Sequence, residues 1–146
     1  MDEKDVLIVE ELRKNGREST KSIAERLGIP RATVHERIKK MLNTGVIEKF
    51  TTQMDYGKLD LGTTAFILVS FTSKTDVSQE GLAMGISAIS NVFEVHIISG
   101  EWDLLVKARG KSVKEVGDLV VNRLRGLKGV ERTLTLFSFK TVKEEV

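Results

Sequence analysis

The spacing of apolar residues changes part-way along this chain of 146 residues, and that change limits the possible folds more than any other feature. Up to residue 50, apolar side chains recur every three or four positions, which is typical of amphipathic helices. From residue 64 onward they alternate or form short continuous runs, which is typical of strands. We therefore predict an α+β protein with domains at 1–50 and 64–146, joined by a connecting strand or hinge at 51–63.

Three short helices are predicted within residues 1–50. In the first, Val6, Val9 and Leu12 recur at nearly helical spacing, with Leu7 and Ile8 beside them. The second begins at a hydroxyl that can cap it, Ser19 or Thr20. It ends at Gly28, a residue type that is favoured just past the end of a helix.

The third helix is predicted from about Pro30 to Asn43, with Pro30 in the first turn, where its missing N–H group is not needed. The predicted apolar stripe of this helix comprises Val34, Ile38, Met41 and Leu42. The residues that follow, Val46 to Phe50, alternate as a short strand. Three helices with tight turns and a strand after them are typical of a winged helix-turn-helix domain, which binds DNA.

Residues 64–146 are predicted to form a ferredoxin-like domain, whose element order is βαββαβ. The elements are a strand at 65–71, a helix at 77–89, a strand with Phe93, Val95 and Ile97 on one face, a strand containing Trp102, Leu104, Val106 and Ala108, a helix capped by Ser112, and a strand at 130–141. The first strand is apolar on both faces, whereas helices cover only one face of such a sheet. We therefore expect the other face to meet a second sheet in a homodimer.

The net charge of +2 is concentrated in the predicted third helix. Residues 1–50 hold 11 Lys and Arg against 9 Asp and Glu, whereas residues 51–146 hold 12 of each kind. Residues 31–49 alone carry a net charge of +3. Such a surplus is usually a solvated helix face, but within a helix-turn-helix motif it favours contact with DNA.

The predicted DNA-binding residues are Arg31, Thr33, His35, Glu36, Arg37, Lys39, Lys40 and Lys49. The helical period of 100° per residue turns Thr33, Glu36 and Lys40 away from the apolar stripe. Arg31 lies at the N-terminal end, which is nearest the base edges in such motifs, and arginine suits bidentate contact with guanine. The three lysines suit phosphate groups, which supply affinity without sequence information.

Two of these residues have alternative interpretations. Glu36 either accepts a hydrogen bond from a cytosine or, as we favour, pairs with Lys40 one turn along the helix. His35 lies beside the apolar stripe, and a half-buried polar residue is as reasonable an interpretation as a DNA contact.

Residues 28–50 resemble the Lrp/AsnC family of transcription regulators in the elements Thr33-Val34, Arg37-Ile38 and Gly45-Val46-Ile47. A second match, Gly100-Glu101-Trp102-Asp103-Leu104, resembles a turn in that family's C-terminal ligand-binding domain. The order of the domains is also the family's order, so the resemblance covers nearly the whole chain. One departure is that the family commonly has a capping Ser before its third helix, where this chain has Ile29-Pro30.

The resemblance implies a regulator that binds operator DNA as a dimer and often assembles into tetramers or octamers. It also implies a small effector, commonly an amino acid, held near Ser99, Gly100, Glu101, Trp102 and Asp103. Asp103 could pair with the ammonium group of an amino acid, and backbone N–H groups near Gly100 could bind the carboxylate. An equally supported interpretation is that Gly100 only supplies a positive φ and that Asp103 only stabilises the turn.

Other functional classes have less support in the sequence. No enzyme, cofactor or metal site is predicted, because the chain has no Cys and its two histidines, His35 and His96, are far apart. Haem-processing decarboxylases of related shape are one alternative, with His96 as the only candidate residue. An architectural DNA-binding protein without sequence specificity is another, although the modest net charge argues against it. Short apolar runs and a charged start, Met1 to Asp5, favour a cytoplasmic protein rather than a membrane or secreted one.

Overall fold

The N-terminal helices begin and end at the signals that the sequence provides. In the computed structural model, which describes residues 1–144, they are α1 (Glu3–Lys14), α2 (Thr20–Leu27) and α3 (Arg31–Asn43). Ser19 caps α2 by accepting a hydrogen bond from the Ser22 N–H group at 3.0 Å, and Gly28 ends it with a φ of 65°. Pro30 is the N-cap of α3 and offers no side-chain acceptor, as the sequence predicts, although it lies one position before the first turn.

The buried face of α1 centres on Ile8, which lies beside the apolar residues that recur at helical spacing. Ile8 is fully buried, whereas Val6 is 40% exposed and Leu12 is only partly buried. The other buried positions of this helix are carboxylates, Asp5 and Glu11, which occupy inward positions because arginines of the neighbouring helices neutralise them. Hydrophobic spacing alone could not reveal that two acidic residues face inward.

The N-terminal core consists of Ile8, Ile23, Ala24, Ile29, Val34 and Met41. Leu42, predicted to be in the apolar stripe, is 39% exposed, because Val34 and Met41 already fill the centre of the buried face. The predicted wing strand at 46–50 is wrong in its secondary structure, since these residues pair with no strand in the described chain. Their alternation instead reflects Ile47, which packs on the core and donates its N–H group to the Met41 carbonyl at 3.1 Å.

The C-terminal domain has the predicted βαββαβ order. Its elements are β1 (Thr63–Phe71), α4 (Gln79–Ser87), β2 (Val92–Ile97), β3 (Leu104–Gly110), α5 (Val113–Leu119), which continues into a π turn (Val120–Leu124), and β4 (Val130–Phe137). A 3₁₀ turn at Tyr56–Leu59 precedes them. The four strands form one antiparallel sheet in the order β2-β3-β1-β4, which confirms the ferredoxin-like prediction.

Two strands differ in detail from the prediction. A bulge between Val92 and Glu94 turns Val92 and Val95 toward the core, so Phe93 does not share their face. β4 ends at Phe137 rather than at 141, close to where its antiparallel partner β1 begins at Thr63. The last bond between the two segments runs from the Ser138 N–H group to the Thr64 carbonyl at 2.9 Å.

One face of the sheet packs against the helices, with Ile67, Leu104 and Val106 fully buried there. The opposite face, which we call the outer face, carries apolar side chains from three strands: Phe66, Leu68, Leu105, Leu134 and Leu136. Leu134 and Leu136 are 44% and 48% exposed. Within residues 1–144, no helix is long and apolar enough to cross a membrane.

Candidate DNA-binding and effector sites

The solvent side of α3 presents most of the residues predicted to bind DNA. Arg31, His35, Glu36, Lys39 and Lys40 are exposed, and Thr33 is half-buried. A shallow groove of about 530 Å³ on this side is lined by Asp2, Ala32, Thr33, Glu36, Arg37 and Lys40. Lys49 is exposed on the extended segment that follows α3. The sequence-predicted set is therefore brought onto one helix and the segment next to it.

Most of these side chains are open to a ligand. In the described part of the chain, Glu36 and Lys40 do not form the predicted ion pair, and Lys39 and Lys49 also have no acidic partner. Arg31 approaches α2, with its Nε atom 3.5 Å from the Thr20 hydroxyl. His35 is exposed rather than half-buried, which removes the structural alternative for that residue.

Arg37 differs from its neighbours because it is already bound to carboxylates. Its Nη1 atom lies 2.7 Å from both side-chain oxygens of Asp2 and 2.7 Å from Oδ1 of Asp5. The hydrogen bond from Arg37 holds the pKa of Asp2 below its usual value. For Asp5, the hydrogen bond from the Asp2 backbone N–H group and then the bond from Arg37 lower the pKa. The side chain of Arg37 thus links α3, to which it belongs, to the start of α1.

The turn predicted to hold an effector joins β2 to β3. Gly100 has a φ of 121°, a conformation that residues other than glycine rarely adopt. Asp103 ties the start of β3 to the end of β1: its Oδ2 atom accepts the Phe71 N–H group at 2.7 Å, and its own N–H group bonds to the Val69 carbonyl at 3.0 Å. Both residues therefore have the structural roles that the sequence allows.

The side chains around this turn include one that sequence reasoning missed. The guanidinium carbon of Arg132, on β4, lies 4.8 Å from the centre of the Trp102 ring, and Arg132 Nη2 is 3.9 Å from a Glu101 oxygen. Ser99 and Glu101 are exposed, whereas Trp102 is half-buried. No local pattern indicates Arg132, because it reaches the turn only through the pairing of β4 with β1.

A second cluster that was not predicted lies on the outer face near β2. Arg109 is only 5% exposed, donates a hydrogen bond to the Thr64 hydroxyl at 2.9 Å, and binds the Glu144 carboxylate at 2.6 Å. Its guanidinium carbon lies 4.0 Å from the centre of the Tyr56 ring. Lys107 also bonds to Glu144, and this bond holds the pKa of the Glu144 carboxyl below its usual value. The sequence signal that could have revealed this cluster is the pair Lys107 and Arg109, two cations at alternate positions of an otherwise largely buried strand.

The residues that would carry enzymatic chemistry are not brought together. His96 is exposed on β2, 3.3 Å from a Glu94 oxygen. The described residues contain no group of His, Asp and Glu side chains that could hold a metal ion.

Three helices with an exposed basic face, followed by a ferredoxin-like sheet domain, define a two-domain DNA-binding transcription regulator. Comparison with known proteins supports this class. Residues 1–48 match the winged helix-turn-helix DNA-binding family, and residues 64–146 match the Lrp/AsnC ligand binding domain. The chain belongs to the Lrp/AsnC family of transcription regulators, and it is not an enzyme.

Relatives with similar sequences or folds align along almost their whole length. An uncharacterised HTH-type transcriptional regulator from Pyrococcus furiosus is 48% identical, over 100% of this chain and 97% of the relative. The HTH-type transcriptional regulator FL11 from Pyrococcus horikoshii is 32% identical, over 99% of this chain and 93% of the relative. A transcriptional regulator from Neisseria meningitidis, solved with L-Met, has a TM-score of 0.92 at 24% identity, with 99% and 94% of the two chains covered, and shows the same fold.

Proposed function

We propose that this regulator binds specific operator DNA as a homodimer and that a small effector, an amino acid, modulates its DNA affinity or assembly. The observation that carries the DNA-binding part is the exposed basic side of α3, where Lys39 and Lys40 have no acidic partner within residues 1–144. Unpaired cations on a recognition helix attract DNA phosphates. Their binding brings the residues that line the groove on α3 close to the base edges. Because operator DNA lies in the cytoplasm, we expect the protein to act there.

In this proposal the residues divide by the type of contact they make. Arg31, Thr33, His35 and Glu36 lie toward the N-terminal half of α3 and read base edges. Lys39, Lys40 and Lys49 bind phosphates. Arg37 belongs to neither group, because its guanidinium is bound to Asp2 and Asp5.

A titration of labelled DNA tests the proposal directly. The fragment from upstream of the protein's own gene is compared with random DNA of the same length at several salt concentrations. We expect binding to the first to be about a thousandfold tighter or more, with a steep dependence on salt. Equal affinity for both fragments would favour the alternative, an architectural protein that binds DNA without sequence specificity.

The outer face of the sheet supports the dimer. Leucines 134 and 136 are about half exposed there, beside the half-buried Phe66 and Leu68 of β1. A second copy of the same face would cover these side chains, and two recognition helices are what a symmetric operator requires. Replacing Leu134 and Leu136 with Glu should shift the protein to a monomer in light scattering, whereas an unchanged mass would place the interface elsewhere. Tetramers or octamers would form from such dimers.

The turn at Ser99 to Asp103 is the proposed effector site. Asp103 uses Oδ2 for the Phe71 N–H group, and its Oδ1 atom has no hydrogen bond within the described residues. That oxygen can accept an ammonium group, while backbone N–H groups near Gly100 bind a carboxylate. Glu101 and Trp102, with Ser99, line the approach. The L-Met bound to the Neisseria meningitidis regulator is an amino acid of this kind.

Thermal shift with each of the twenty amino acids tests the effector. A ligand at about 100 times its Kd should add about 2.7 kcal/mol to the free energy of unfolding. Asp103→Asn keeps an acceptor for Phe71 and removes the charge, so it should abolish the shift without unfolding the turn. Glu80→Gln, which removes the same charge from an exposed position on α4 outside this site, is the control. A shift that survives Asp103→Asn would place the effector elsewhere.

A further inference from the structure

The side chain of Arg37 lies on the recognition helix but points toward α1. It is 25% exposed, and its Nη1 atom lies within 2.7 Å of oxygens of both Asp2 and Asp5. Asp5 is itself buried, with a side chain only 8% exposed. An arginine that contacted a phosphate would have to leave these oxygens, and a buried carboxylate without a partner is strongly unfavourable. The pairing with α1 therefore competes with any direct contact of Arg37 with DNA.

The two carboxylates that bind Arg37 are also the capping box of α1. The Asp2 side chain accepts the Asp5 N–H group at 3.1 Å, and the Asp5 side chain accepts the Asp2 N–H group at 2.9 Å. Each aspartate is thus fixed to the first turn of α1 by its backbone partner. Arg37 consequently joins α3 to a rigid part of α1, not to a mobile surface side chain.

The attachment lies at the edge of the groove that faces DNA. Asp2 and Arg37 line this groove together with Thr33, Glu36 and Lys40. On the other side of α3, Val34 and Met41 pack in the core. Apolar packing alone tolerates a small rotation of a helix about its axis. The contact of Arg37 with the fixed oxygens of Asp2 and Asp5 does not, because a rotation would lengthen its hydrogen bonds.

We propose that Arg37 is a positioning residue: through Asp2 and Asp5 it sets the rotation of α3 about its axis, and so the direction in which Thr33 and Glu36 meet the bases. This inference rests on the proposed function, in which α3 reads operator DNA. Base contacts depend on direction, whereas phosphate contacts by flexible lysines tolerate small displacements. Loss of Arg37 therefore reduces specific binding more than binding to random DNA.

The test compares variants of the full chain on the operator fragment and on random DNA, at a temperature where circular dichroism shows every variant fully folded. We expect Arg37→Gln to reduce the ratio of specific to random affinity about tenfold, which is the loss of one well-placed base contact. The affinity for random DNA and the slope of affinity against salt should not change. Lys40→Gln, on the same helix, should weaken binding to both fragments and lower that slope by about one.

A further control separates positioning from general stability. Arg26→Gln removes a different interhelical contact of the same domain, the pair of Arg26 with the buried Glu11, and should lower the Tm without changing the specificity ratio. If Arg26→Gln changes the ratio as much as Arg37→Gln does, Arg37 has no special role in recognition.

Asp2→Asn provides a second variant that does not depend on the folding of Arg37→Gln. Asparagine retains the N-cap acceptor of α1 and removes the charge. A positioning role predicts that Asp2→Asn reduces the specificity ratio and that the double variant is no worse than Arg37→Gln alone. A direct phosphate contact predicts the opposite: Asp2→Asn tightens binding to all DNA, and Arg37→Gln lowers the salt slope. Those two results would overturn the inference. A wild-type protein that shows no preference for the operator would instead contradict the proposed function. In that case the salt slope of Arg37→Gln still shows whether Arg37 contacts a phosphate.

Discussion

The basic residues of α3 and those of the outer sheet face are similar in kind but differ in their surroundings. Lys39 and Lys40 on α3 face water without an acidic partner in the described chain. Lys107 and Arg109 on β3 are largely buried and share the carboxylate of Glu144. The number of cations is nearly the same in both halves of the sequence, so the count does not identify the DNA-binding surface. The decisive property is whether a cation is still available to an external anion.

The largest effect should come from removing the buried cation of the sheet. Arg109→Met leaves Glu144 without one of its two cationic partners on β3 and Tyr56 without the cation over its ring, so we expect it to cost about 3 kcal/mol in the free energy of unfolding. Urea unfolding measures this difference. Arg123→Met removes an exposed arginine of the same domain and should change stability by less than about 0.5 kcal/mol. Equal losses for the two variants would mean that burial does not distinguish these arginines.

Removing the shared carboxylate should have a smaller effect that depends on pH. Glu144→Gln is expected to cost about 1–3 kcal/mol at pH 7, since Glu144 is partly exposed and its two cations lose a charged partner. The Glu144 pKa is lower in the folded state than its ordinary value of 4.5, so the stabilisation is complete above that pH and is lost as the pH falls through the folded-state pKa. Thermal unfolding from pH 7 to pH 3 should show the wild-type and variant curves converging at the acid end. A constant difference across this range would contradict the assignment.

The same two regions show how far the sequence could predict the structure. The helices around Ser19 and Gly28, and the strand with Leu104, Val106 and Ala108, follow from local rules of capping and alternation and agree with the structure. The inward position of Asp5 depends on an arginine 32 residues away, and no local rule contains that distance. The bulge in β2 likewise depends on pairing with β3, so it reversed the predicted face of Phe93.

The candidate sites divide in the same way. Exposed residues of α3 could be predicted because a helix of known period has one solvent side. Arg37 lies at the border of that side, and only the partner helix decides where its guanidinium points. Arg132 and Glu144 could not be found because strand pairing and the final segment bring them to sites that are distant in sequence.

An uncharged residue of the DNA-binding domain offers an intermediate effect that sharpens the contrast. Ser19→Ala removes the N-cap of α2 and should cost about 1 kcal/mol in stability, whereas Ser19→Gly should cost only a few tenths. Differential scanning calorimetry measures both. Because no charge is lost, the dependence of DNA binding on salt should not change, and a reduced slope would mean that α2 itself contributes a phosphate contact.

The smallest effect on stability is expected for Lys39→Gln. This variant also tests most directly whether an exposed cation of α3 is available to DNA phosphates. The side chain is exposed and has no acidic partner within residues 1–144, so the free energy of unfolding should change by less than about 0.5 kcal/mol. The slope of the logarithm of DNA affinity against the logarithm of salt concentration should nevertheless decrease by about one, because one phosphate contact is lost. Lys74→Gln removes another exposed lysine, from the C-terminal domain, and should leave that slope unchanged. If both variants lower the slope equally, net charge rather than the basic side of α3 governs DNA binding, and the contrast between the two regions fails.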